Sequence, residues 1–72
     1  MKRYGPRGEQ PVTLKYQVFE AETDNAWLLI FDRSKGIQEW MPKSQCELDM
    51  DGLTVQAPTW LVEKKGLEGF AE

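Results

Sequence analysis

The sequence predicts a mainly β, α+β fold: a small five-stranded antiparallel barrel, SH3-like or OB-like, with a short C-terminal helix. Three observations predict it. Val12, Leu14, Tyr16 and Val18 alternate with polar residues at period two, the signature of a half-buried strand. Turn chemistry then recurs at short intervals: Thr23-Asp24-Asn25, Asp32 to Gly36, Pro42-Lys43-Ser44 and Asp51-Gly52. After Pro58 the pattern turns helical and stops at a glycine. Closing so small a sheet on itself removes exposed strand edges.

The first strand begins at Val12. Its alternation slips at Phe19, which lies on the other parity, so a bulge or sharp bend is expected near Val18-Phe19. Ala26 to Phe31 is apolar on both parities and reads as a central strand covered on both faces, with Trp27 buried. Ile37 to Met41 is the third strand, ended by Pro42, which cannot donate to a ladder. Gln45 to Leu48 is a short fourth strand with Cys46 and Leu48 inward. Leu53, Val55 and Ala57 form the fifth after the Asp51-Gly52 turn. Pro58 suits a first helical position, and Thr59 to Lys65 is about two turns. Lys64 and Lys65 lie at the end where positive charge suits the helix dipole. Gly66 is expected in a left-handed conformation, closing a Schellman motif, with Leu67 packing back on Leu61 or Val62. Trp60, Leu61 and Leu67 are expected to dock the helix, with Trp60 as the anchor. The organisation is therefore a basic arm at 1–11, one small barrel domain with its helix at 12–67, and a tail at 68–72.

The chain has 72 residues, which is one domain. Its 40% hydrophobic content and three tryptophans exclude a disordered chain. The longest apolar run, Ala26 to Phe31, is of strand length and far too short to span a bilayer. There is no histidine and a single cysteine, Cys46, so an intrachain disulfide is impossible. Without a base to draw off its proton, Cys46 reads as a small buried residue and not a nucleophile. No metal-ligand spacing and no glycine-rich phosphate loop is present. Asp49-Met50-Asp51-Gly52 resembles the start of a calcium loop but lacks the later ligands, leaving an acidic hairpin turn. The expectation is a non-enzyme without cofactor or metal. The lone cysteine and the charged start, with no apolar stretch behind it, suit a reduced, cytoplasmic setting.

Lys2, Arg3 and Arg7 make residues 1–8 basic, whereas residues 9–72 carry twelve acidic side chains against six basic ones. An acidic body argues against a large phosphate-binding footprint; the arm could touch a nucleic-acid backbone or simply be solvated. Trp40 to Gln45 is the most distinctive stretch. If Ile37 and Met41 point inward, Trp40 points outward, with Lys43, Ser44 and Gln45 following. A tryptophan beside a lysine serves as a protein-binding anchor or a base-stacking platform. The alternative is that Trp40 packs under the C-terminal helix. Trp40, Lys43, Ser44 and Gln45 are thus the candidate binding residues, with the acidic Glu20, Glu22 and Asp24 as the fallback site.

Glu39-Trp40-Met41-Pro42-Lys43-Ser44-Gln45, together with Pro58-Thr59-Trp60-Leu61-Val62-Glu63-Lys64-Lys65-Gly66-Leu67, resembles a group of short bacteriophage proteins. Their pattern is a tryptophan, an apolar residue and Pro-Lys-Ser-Gln, followed by a Pro-x-Trp-Leu helix ending in Lys-Gly-Leu. Ala26-Trp27-Leu28 resembles the strand that precedes these motifs in that group. The likeness spans roughly Val12 to Leu67. Cys46 stands where a β-branched residue is more usual. The group has no settled activity, so the resemblance implies a phage origin and no mechanism. By analogy with small phage regulators, the expectation is a protein that binds and modulates a host protein such as RNA polymerase, a nuclease or a defence complex. The alternatives are a single-stranded nucleic-acid binder and a structural accessory that dimerises through a strand edge. The oligomeric state is left open.

Overall fold

The structure is a computed structural model that describes residues 11–72; the arm at 1–10, with Lys2, Arg3 and Arg7, lies outside the described residues. Six strands form two antiparallel three-stranded sheets, so the five-stranded closed barrel is corrected. The strands are β1 (Pro11–Lys15), β2 (Val18–Glu22), β3 (Ala26–Asp32), β4 (Ile37–Pro42), β5 (Glu47–Asp49) and β6 (Thr54–Pro58), followed by α1 (Thr59–Lys65). One sheet has the order β1-β6-β5 and the other β2-β3-β4.

The extra strand comes from splitting the first one. The break falls at Tyr16-Gln17, earlier than the slip at Phe19 suggests. The Tyr16 N–H donates to the Leu53 carbonyl at 3.0 Å, on the side of the first sheet. The Gln17 N–H donates to the Ile30 carbonyl at 2.8 Å, in the second. Successive backbone donors are thus claimed by different sheets, and the chain must turn between them. A bulge also occurs, between Phe19 and Ala21, where the register against β3 shifts.

The two sheets are unpaired between β4 and β5. Pro42 ends β4 without a donor of its own, and its carbonyl accepts from the Gln45 N–H at 3.1 Å. That turn lifts the chain off the sheet. β5 is only three residues long and pairs with β6 alone, Leu48 opposite Val55. Cys46 lies just before β5, buried at 6% exposure. A side-chain contact from α1 reaches β4, Lys65 Nζ lying 3.5 Å from Glu39 Oε1.

Leu14, Tyr16, Leu29, Phe31, Met41, Val55, Ala57, Leu61, Val62 and Leu67 form one core between the sheets and the helix. Trp60 is not in it. It is 41% exposed, which corrects its assignment as the helix anchor. At 3.6 residues per turn, Leu61, Val62 and Lys65 share the inner side of α1, and Trp60 falls on the far side. Trp27 is half-buried and not fully covered. Pro58 closes β6 in an extended conformation and precedes the helix instead of opening it.

The helix ends as expected. Gly66 has φ +70° and ψ +34°. Its N–H donates to Glu63, and the Leu67 N–H donates to Val62 at 3.0 Å. This is the paired bonding of a Schellman motif. The tail expected at 68–72 is tied to the domain. Glu68–Phe70 forms a 3-10 turn. The Phe70 ring sits 5.4 Å from that of Phe31. Ala71 bridges Leu14, and the Glu72 N–H donates to Thr13 at 2.9 Å. These last contacts cover the outer edge of β1.

Candidate functional site

The β2-β3-β4 sheet sorts its side chains by register. Residues directly opposite in an antiparallel pair share a face. Phe19 pairs with Leu29 and Leu29 with Glu39, while Glu22 pairs with Trp27 and Trp27 with Met41. Leu29 and Met41 are fully buried, so this is the inner face. On the outer face, Val18 pairs with Ile30 and Ile30 with Gln38, while Ala21 pairs with Leu28 and Leu28 with Trp40. Trp40 is 43% exposed. Val18, Ala21, Leu28 and Ile30 are half-buried. None of these five belongs to the core or packs against it as its partly buried neighbours do. The result is an apolar sheet face with Trp40 at its β4 margin.

The structure does not set Lys43 beside Trp40. Lys43 turns to the opposite side of the sheet from Trp40. Its Nζ forms an ion pair with Glu22 Oε2 at 2.5 Å and lies 5.7 Å from the centre of the Trp27 ring. Its N–H donates to the Asn25 carbonyl at 2.8 Å, tying the end of β4 to the β2-β3 turn. The side chains of this pair are partly exposed, so it contributes at most about 1 kcal/mol. Lys43 is therefore engaged in holding the sheet's end together. Ser44 and Gln45 are exposed in the turn that follows. The true neighbours of Trp40 are Leu28, Ile30 and Gln38. The signal for them was the double-parity apolar run at Ala26 to Phe31. One parity, Leu29 and Phe31, is core; the other, Leu28 and Ile30, is the outer face.

The remaining titratable groups are perturbed by burial or by the bonding of their turns. Burial pushes the Cys46 thiol up to about 11, partly offset by the nearby Lys65 charge. Such a thiol is inert near neutrality. Burial, with the Asp49 carboxylate adding to it, raises the Tyr16 phenol. Asp32 is held below the ordinary carboxylate range, chiefly by the Ser34 hydroxyl at 2.7 Å and then by backbone N–H groups of its turn. Asp49 accepts from the Gly52 N–H at 3.0 Å, the bonding of an acidic hairpin turn. A shallow cavity of about 130 Å3 lies over Glu47, Leu48, Asp49, Thr54 and Gln56. That is well below the roughly 300 Å3 at which small-molecule sites begin. Among the described residues, no helix is long and apolar enough to cross a membrane.

No protein-family model, no curated protein and no solved structure matches the chain. What the surface can do therefore follows from its chemistry. Between Val18 and Pro42 it carries five acidic side chains (Glu20, Glu22, Asp24, Asp32 and Glu39) and two basic ones (Arg33 and Lys35). Two of these acids, Glu22 and Glu39, are paired with Lys43 and Lys65.

Proposed function

We propose that this chain is a small, non-enzymatic phage-type protein that binds and modulates a host protein in the host cytoplasm. The observation that carries the reading is the outer face of β2-β3-β4, where Trp40 stands beside Leu28 and Ile30, outside the core. Binding hot spots are enriched in tryptophan set in apolar surroundings. The phage origin and the choice of host targets, such as RNA polymerase, a nuclease or a defence complex, rest on the motif resemblance at Glu39 to Gln45 and Pro58 to Leu67.

The competing reading is stacking of single-stranded nucleic acid on Trp40. The acidic excess on this sheet disfavours it, because a phosphate backbone needs clustered Lys and Arg. An affinity capture from host lysate separates the two. The expected result is a host protein retained after nuclease treatment and lost when Trp40→Ala replaces the parent. Its affinity should fall by about 2 kcal/mol or more in that variant and change little with salt. Capture that disappears with nuclease, or affinity that falls steeply with salt, favours nucleic acid and overturns the proposal.

A further inference from the structure

We infer that two copies of this chain pair through their β4 edges, antiparallel about a twofold axis at Glu39, and so join their outer sheet faces. Two sheets of three strands have four outer edges. That of β1 is covered by Ala71 and Glu72. β2 is bulged between Phe19 and Ala21, and a bulge disrupts the ladder a new strand must follow. β5 has three residues, Glu47–Asp49, too few to template a ladder. β4 runs six residues, Ile37–Pro42, in regular register against β3 from Gln38 to Pro42. Among the described residues no strand pairs with its outer side.

The bonds already made fix which groups this edge offers. The Lys43 N–H donates to the Asn25 carbonyl. Bonded pairs recur at every second residue, so Met41 and Glu39 also turn their N–H and C=O groups to β3, toward Trp27 and Leu29. On the other side of β3 the Ile30 carbonyl accepts from Gln17 and the Ala26 carbonyl from Thr23, as that alternation requires. Gln38 and Trp40 therefore present their N–H and C=O groups outward. Pro42 has no N–H, and its carbonyl already accepts from Gln45. The edge thus offers two donors and two acceptors, placed symmetrically about Glu39. A second copy turned antiparallel about Glu39 satisfies them all, Gln38 of each exchanging both bonds with Trp40 of the other. Centring on Trp40 would set Gln38 against Pro42, which returns no donor. Centring on Gln38 would set Trp40 against Gly36, whose N–H is given to Arg33.

Residues opposite one another share a face. On the outer face Gln38 then lies opposite Trp40 of the second copy, and the two Trp40 residues become diagonal neighbours, about 7–8 Å apart and within aromatic reach. Trp40, 43% exposed in the single chain, gains cover from this arrangement. Leu28 and Ile30 continue into their counterparts, and two small apolar faces become one. On the inner face Ile37 lies opposite Met41, and Glu39 opposite Glu39. Opposed carboxylates repel, but each is held by its own Lys65 at 3.5 Å, so the axis brings together two ion pairs and not two bare charges. A foreign strand must match this edge by its sequence; a second copy matches it by symmetry. Confined to one short edge, the contact belongs with the transient interfaces under roughly 1,200 Å2, so monomer and dimer exchange.

Sedimentation and amide exchange on the full chain, from micromolar to millimolar concentration, test the pairing. The expected result is a monomer that passes to a dimer and no further. Exchange at the Gln38 and Trp40 amides slows as the dimer forms, while Glu39 and Met41, already bonded to β3, change little. In a mixture of isotope-labelled and unlabelled protein, magnetisation passes between Gln38 of one copy and Trp40 of the other. Gln38→Pro removes a donor that β3 does not use, and two hydrogen bonds per dimer go with it, so association should weaken at least about tenfold. Gln38→Ala keeps the backbone donor and should weaken it far less. A chain still monomeric at millimolar concentration, protection gained at β2 and not at Gln38 and Trp40, or equal association of the two Gln38 variants would each overturn the inference. A host protein captured through Trp40 by a chain that stays monomeric removes the dimer and leaves the docking surface standing.

Discussion

Gly66 shows how much one residue's backbone decides. Its φ of +70° costs glycine little, whereas a Cβ in that conformation costs about 1 kcal/mol or more. A Cβ there would meet no atom within 4 Å, so the cost is conformational and not steric. Gly66→Ala should therefore lower stability by about 1 kcal/mol in urea melts. Leu53 is the reverse case. The left-handed position of the β5-β6 hairpin falls on Leu53, at φ +56°, and not on Gly52 beside it. Leu53→Gly should raise stability by about 0.5 kcal/mol, the relief of strain exceeding glycine's greater entropy when unfolded; a lower midpoint would show that its side chain matters more. Cys46 makes a pH prediction. The unfolded chain's thiol ionises near pH 8.5–9, while the buried one stays protonated to about 11. The unfolded state therefore loses its proton first. Stability is unaffected below that window and falls through it as pH rises, by up to about 3 kcal/mol from this group. Cys46→Val should remove that part of the alkaline slope, measured as the difference between the two proteins' denaturation curves.

At the scale of elements, α1 makes the sharpest contrast between expectation and structure. Its boundaries and its stop were legible, because proline and glycine act through local backbone geometry. Its orientation was not. Trp60, Leu61 and Val62 are adjacent apolar residues, and a helix of seven residues is too short for periodicity to say which side faces inward. The sheets chose Leu61 and Val62, which are 4% and 2% exposed. Leu61→Ala should thus cost about 2–5 kcal/mol, and Trp60→Ala less than about 1 kcal/mol, both by thermal or urea melts. Equal losses would mean that Trp60 is docked after all. The first strand tells a similar story. Its alternation was correct through Tyr16, but local pattern cannot reveal that the backbone donors of Tyr16 and Gln17 belong to separate sheets. The tail, with Phe70 its one apolar anchor in the sequence, gains order from Phe31 and from the edge of β1, both far away in the chain.

At the scale of the whole molecule, two small sheets share one core and leave one apolar face outside it. The proposed docking surface depends on that division. Removing Trp40 should cost binding and not folding, because the ring lies outside the core. Trp40→Ala should melt within about 1 kcal/mol of the parent while losing its captured partner. A variant that unfolds instead would place Trp40 in the stabilising framework and move the search to Glu20, Glu22 and Asp24. Lys43, by contrast, pairs with Glu22 and lies by Trp27, so its replacement mixes a structural effect with any binding effect.

The sequence by itself determined what local chemistry controls: short antiparallel strands, their turns and the glycine that ends the helix; it left Trp40 either outward or under the helix, and the tertiary structure exposes it. Tertiary structure alone decided that β4 and β5 do not pair, that Lys43 leaves Trp40 for Glu22, and that Leu28 and Ile30 face outward beside the tryptophan. The physical reason is common to all three. Each depends on which face of a strand meets which sheet, and residues of either parity in an apolar run are equally able to be buried. Only the limited interior of a small domain, already filled from Leu29, Phe31 and the helix, assigns one parity to the core and leaves the other at the surface.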